Sequence, residues 1–131
     1  MKIKLATIFV DDQEKALRFY TEVLGFVKKA DFGKGTFRWL TVATADDPDG
    51  IELQLAANDN PAAKAFQQAF ASQGQPAILF HTDDLQGDYE RAKAKGAEFK
   101  MPPTDVTGSK IAQLVDTVGN VVQIVQLMKW A

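Results

Sequence analysis

The 131-residue chain has no cysteine and a single histidine. Without thiols there is no disulfide framework, no thiolate metal site and no cysteine nucleophile. With one imidazole, a metal face of two histidines and a carboxylate cannot be built within one subunit. A net charge of −2 with interspersed signs leaves no basic stripe, and the aromatic residues do not alternate with Lys and Arg, so nucleic acid is not an expected partner. No apolar run approaches the length of a membrane span. The start, MKIKLATIFVDD, brings in charge after a few apolar residues and has no small-residue cleavage site, so no membrane partner is expected and a cytoplasmic location is. No serine sits in a nucleophile elbow, and Gly33, Gly35 and Gly108 make no phosphate loop.

What is present is an ordinary globular composition, 46% hydrophobic against 24% charged, enough for one folded domain. Its clearest stretch is residues 10–26, VDDQEKALRFYTEVLGF. Asp11 and Asp12 are good N-cap residues, Glu14 follows Asp11 at capping-box spacing, and Gly25 can end the helix in a left-handed conformation. Ala16, Leu17, Phe19, Tyr20, Val23 and Leu24 share one arc of this helix, and Lys15, Arg18, Thr21 and Glu22 the other. A strand over residues 2–10 precedes it. A short strand at 27–30, a turn at 33–35, a strand at 36–43, a turn over Asp46, Asp47, Pro48, Asp49 and Gly50, and a strand at 51–55 follow. The acidic turn lacks the length and terminal Glu of a calcium loop.

Asn60 as N-cap, Pro61 at the first helical position and Gly74 past the end bracket a linker helix carrying Phe66 and Phe70. Then the order repeats. A strand at 77–81, a helix capped by Asp83 or Asp84 and closed by Gly96, a proline interruption at Pro102 and Pro103, and strands at 110–115 and 121–127 about a turn at 117–120 lie about 71 to 72 residues behind their first-half counterparts. The reading is one α+β domain: module 1 (2–57), the linker helix (60–74) and module 2 (76–128), each module a βαβββ unit. Each sheet buries one face under a helix and leaves the other to line a concavity, a natural small-molecule site. The apolar tail of Leu127, Met128 and Trp130 covers either a second subunit or its own domain.

This order, with the Asp cap, the Phe19-Tyr20 pair and Leu24 to Phe26 as LGF, resembles the vicinal oxygen chelate superfamily of glyoxalase I, bleomycin- and fosfomycin-resistance proteins and extradiol dioxygenases. The resemblance spans essentially the whole chain. It implies the glyoxalase/bleomycin resistance fold, paired modules forming a cup-shaped mixed sheet with helices outside, often as homodimers. In metal-dependent members a divalent ion is held by a His in the first strand and a Glu in the last strand of each module. Carried over by position, those places fall on Leu5, Glu52, Ala77 and Gln123. Only Glu52 is a strong ligand, so no metal cofactor is expected.

Glu52 and Gln54 alternate with the core residues Ile51, Leu53 and Leu55, which the resemblance turns into an inward-facing pair. Glu52 is the candidate base or ligand acceptor, with a raised pKa if poorly solvated. Gln123 adds a donor and an acceptor, Leu5, Thr7 and Ala77 line the same cup, and His81 stands near its rim as the one side chain whose ordinary pKa is near neutrality. On the strand at 36–43, Arg38 and Trp39 point to opposite faces and both are candidates, while Phe37 is assigned to the core. The leading expectation is a metal-independent binder of a small organic molecule, as in drug-sequestering resistance proteins. The alternatives are a glyoxalase-like lyase or isomerase using Glu52 as general base or as ligand of a divalent metal, and a dimeric interaction module.

Overall fold

In the computed structural model, which describes residues 1–128, the alternating segments become two four-stranded mixed sheets. The first has the order β1-β4-β3-β2 and the second β5-β8-β7-β6. The first contains β1 (Leu5–Val10), β2 (Val27–Lys34), β3 (Phe37–Thr44) and β4 (Asp47–Ala57). The second contains β5 (Pro76–His81), β6 (Glu98–Val106), β7 (Ser109–Val115) and β8 (Val121–Leu127). In each sheet the first strand runs parallel to the last and the remaining pairs are antiparallel, so the duplicated βαβββ order is a duplicated topology. Helix α1 (Gln13–Arg18) follows β1, α2 (Pro61–Ser72) links the modules, and α3 (Leu85–Ala94) follows β5. None of the described helices is long and apolar enough to cross a membrane.

Each sheet is covered on one face only. Ile8, Val10, Leu40, Val42, Leu53 and Leu55 from the first sheet join Ala112, Leu114, Val122 and Ile124 from the second in one core with Ala16, Phe19, Tyr20 and Leu85 of the helical segments. Burial of these side chains is the main stabilising contribution. The opposite sheet faces are not covered by these helices.

Local signals position the helices. Asp12, not Asp11, caps α1 and accepts from Lys15 N at 3.0 Å, while Asp11 N donates to Val118 O. The expected Asp11–Glu14 capping box therefore does not form. The helix also widens: residues Phe19–Val23 make a π-turn in which Leu24 N donates to Phe19 O, accompanying burial of the consecutive rings of Phe19 and Tyr20. Gly25 ends it with φ 84°, as its position requires. Asn60 and Asp84 cap α2 and α3 through bonds from Ala62 N and Gly87 N.

Four strand readings change. The turn before β4 lies at residues 45–46, and the Asp47-to-Gly50 run is already strand, its Asp49 taken up by Lys29 Nζ at 2.9 Å. β2 runs on through Gly33, so the turn after it comes later than expected. Pro102 and Pro103 sit inside β6; as an edge strand it tolerates missing amide donors, with two shifts of register around them. Phe37 is 59% exposed and Ile51 55%, so neither is core: Phe37 shares the open face with Trp39, and Ile51 precedes the part of β4 that pairs with β1, which begins at Glu52. Leu127 and Met128 are exposed, and the reading of Trp130 lies outside the described residues.

The modules are tied by a buried polar knot where β1 and the helical segment after it meet the β7–β8 turn. Asp116, with no exposed surface, accepts from Tyr20 Oη at 2.6 Å, Val118 N at 3.0 Å, Asn120 N at 2.9 Å and Asn120 Nδ2 at 2.7 Å. Gln67 of α2 bridges the same turn, its Nε2 donating to Phe9 O and Val118 O, both at 2.9 Å. Gly119, at φ 103°, admits that contact: a Cβ there would lie 2.5 Å from Gln67 Nε2.

Burial, then the charge of Asp116 and the hydrogen bond to it, push the Tyr20 phenol well above its ordinary value. A raised native pKa means that stability is whole below the unfolded tyrosine value of about 10 and is lost as pH climbs from there through the native value. Alkaline denaturation should therefore show a steeper loss of stability in the wild type than in Tyr20→Phe. Urea midpoints between pH 9 and 11.5 read this, and parallel slopes would refute it.

Candidate functional site: the open sheet faces

The open face of the first sheet is set by register. Leu5 pairs with Glu52 and Thr7 with Gln54 across β1 and β4, and Thr41 pairs with Gln54 across β3. In-register neighbours project to the same side. Ala30 N donates to Thr41 Oγ1 at 3.1 Å, so the Thr41 hydroxyl proton goes to Glu52 Oε1, 2.6 Å away. That fixes the carboxylate and leaves Oε2 without a hydrogen-bond partner among the described residues. Thr7 Oγ1 donates to Gln54 Oε1 at 2.9 Å, leaving the Gln54 amide protons free. The face thus offers one fixed acceptor and one fixed donor, with Leu5 40% exposed beside them.

The second sheet presents a parallel arrangement. Gln113 Nε2 donates to Gln123 Oε1 at 2.8 Å, and Gln113 and Leu79 both pair with Gln123. Leu79, 51% exposed, therefore stands where Leu5 stands in the first module. This corrects the assignment of that place to Ala77. The β5–β8 pairing skips Ala77 between Pro76 and Ile78, and the in-register partner of Gln123 is Leu79. Ala77 instead lines a narrow cleft of about 50 Å³ with Thr7, Phe9, Phe66 and Phe70, which brings the β1 and β5 edges together beneath α2.

His81 pairs with Val125, one level beyond the Leu79–Gln123 pair and so roughly 6–7 Å further along the strand. It is an exposed rim residue. Arg38 is corrected outright. It lies on the helix-covered side with Leu40, where its Nη2 reaches Asp31 Oδ2 at 2.8 Å and its Nη1 reaches Glu14 Oε2 at 3.4 Å. That pairing holds Asp31 below the usual carboxylate range. Trp39 takes the open face, half-buried, opposite Phe32. Phe32 is 65% exposed, and with Phe37 it extends an aromatic strip along β2 and β3.

Sequence reasoning missed Thr41, Gln113, Leu79 and the two phenylalanines. The repeat held one usable signal, since an offset of 72 residues carries Thr41 onto Gln113. A metal fits this donor set poorly. Glu52 is surrounded by Leu5, Thr7, Thr41 and Gln54, Gln123 by an amide and Leu79, and among the described residues no group of three or more His, Asp or Glu side chains is placed to hold an ion.

Residues 2–124 match the family model of the Glyoxalase/Bleomycin resistance protein/Dioxygenase superfamily. The chain is 50% identical over 126 residues to the uncharacterized protein YurT of Bacillus subtilis (strain 168), covering 96% of this chain and 99% of that one. Among solved structures, UcmS2 superposes with a TM-score of 0.82 at 29% identity, over 95% of this chain and 97% of that one. TnmS3, an antibiotic binding protein from Streptomyces sp. CB03234, gives 0.77 at 28% identity, over 98% and 97%. With the duplicated topology and the family match together, the chain belongs to the glyoxalase/bleomycin resistance protein/dioxygenase superfamily.

Proposed function

We propose that this protein binds a small organic molecule, partly aromatic and with a few polar groups, against its open sheet faces, and acts by sequestration without a metal ion. The observation that carries the reading is the pairing of Leu5 with Glu52 and of Leu79 with Gln123: two hydrocarbon side chains beside a fixed acceptor and a fixed amide. Such a surface suits an apolar ligand that makes a few oriented hydrogen bonds. The Phe32–Trp39 strip supplies flat partners for rings. Likeness to TnmS3, an antibiotic binding protein, supports the same class of ligand. The reading includes a cytoplasmic homodimer in which a second copy helps enclose the ligand. Leu5, Leu79, Phe32 and Phe37, exposed in one chain, support it.

A second reading has one observation in its favour: the free Oε2 of Glu52 could act as general base of a lyase or isomerase. Titration of a panel of aromatic antibiotics, followed by calorimetry and by mass analysis of the recovered compound, separates the two. Sequestration expects saturable binding unaffected by EDTA, the compound returned unchanged, and affinity about tenfold weaker in Trp39→Ala. A modified product that disappears in Glu52→Gln while binding persists would establish the enzyme instead. If no compound binds, but light scattering gives a stable dimer, the interaction module stands.

A further inference from the structure

A second cavity lies away from the open faces. It is a cleft of about 340 Å³ on the helix side, between the end of the π-turn in module 1 and helix α3 of module 2. Its floor is Leu24, Phe26, Phe80 and Ile124; the Phe26 and Phe80 rings lie 4.9 Å apart at 56°, packed against the core yet only partly covered. Here the shared core reaches the surface. The volume falls at the lower end of the range for small-molecule sites.

The rim carries charge of one sign in excess. Arg91 stands on α3 and Lys95 at its C-cap, with Asp88 as the one carboxylate. Asp88 is already committed, accepting from Arg91 Nη2 and from Thr82 Oγ1, each at 2.5 Å. Lys95 has no ion-pair partner among the described residues. The carbonyls at the end of α3, which would otherwise repel an anion, are occupied: those of Arg91, Ala92 and Lys93 accept from Lys95, Ala97 and Gly96 amides. Lys15, Arg18 and Lys95 border the adjoining hollow with Glu22 as its one carboxylate, so cations outnumber anions there too.

From this juxtaposition we propose a second, independent ligand site: the cleft takes an amphipathic carboxylate of medium chain length, its apolar body on Phe26 and Phe80 and its head group at Lys95. A hydrocarbon chain desolvates the exposed core, and a carboxylate meets the unpaired ammonium at a solvated rim. An uncharged chain would gain only the first contribution. The site does not depend on the reading of the open sheet faces: of the residues assigned there, the rim residue His81 alone also lines this cleft.

Decanoate and decanol are the probes. Calorimetry on the wild-type protein should give saturable decanoate binding at one site per chain, with decanol weaker, and Lys95→Glu should weaken decanoate on the order of tenfold while leaving decanol unchanged. Methyl resonances of Val23, Leu24 and Ile124 should move with decanoate in the wild-type protein, which needs no variant to fold. Equal affinity for the two probes, no saturable binding of either, or shifts centred on Leu5 and Leu79 would each overturn the proposal.

Discussion

Replacing Asp116 by alanine is expected to remove about 3–5 kcal/mol of folding stability, a drop on the order of 10–20 °C in thermal midpoint for a domain of this size. The carboxylate is fully buried and collects the Tyr20 hydroxyl, two backbone amides and the Asn120 side chain. Alanine leaves those donors facing a void, and each unsatisfied buried donor costs about 1–3 kcal/mol before any relaxation. Tyr20→Phe removes one bond to a carboxylate and should cost less, about 1.5–3 kcal/mol. The two losses should not add, because once Asp116 is gone the phenol has no partner to lose. Chemical denaturation of both single variants and the double variant measures this. A coupling near zero would mean that the knot does not hold the modules together.

How much of this was legible depended on distance along the chain. The caps at Asn60 and Asp84 and the stops at Gly25 and Gly96 act within a few residues, and each is found where the local chemistry puts it. Pattern alone placed Glu52 and Gln54 on a common face, because alternation is local too. What alternation cannot do is say which of two faces is covered. Arg38 and Trp39 were equivalent until α1 brought Glu14 down beside Arg38 and Gln13 onto Arg38 O at 3.0 Å. Ala77 was displaced by a bulge, which depends on the partner strand and leaves no mark in β5 itself. Tyr20 read as one more apolar-face residue, since nothing near it announces a hydrogen bond to a residue 96 positions away. Phe37 and Ile51 failed for a related reason: alternation does not show that Phe37 shares the uncovered face with Trp39, or that β1 pairs with β4 only from Glu52 onward.

The same register yields the last and largest functional prediction, a metal site gained by substitution. If Leu5 and Leu79 occupy the positions beside Glu52 and Gln123, then Leu5→His, Leu79→His and Gln123→Glu together create a set of two imidazoles and two carboxylates around the native Glu52. Neighbouring strands lie about 4.8 Å apart, so each in-register pair can share one ion. Binding of zinc should tighten on the order of a thousandfold over the wild-type protein, about 4 kcal/mol. Leu5→His alone should gain far less, because two donors from one sheet leave the coordination sphere half empty. Competition against a chromogenic chelator and metal analysis after dialysis distinguish the cases, and light scattering shows whether the donors come from one chain or two. A triple variant no better than the single one would mean that the two open faces do not converge on a common point. In that event the ligand of the proposed function would have to sit on one sheet, and the hydrocarbon at residues 5 and 79 would no longer account for the proposed metal-free binding.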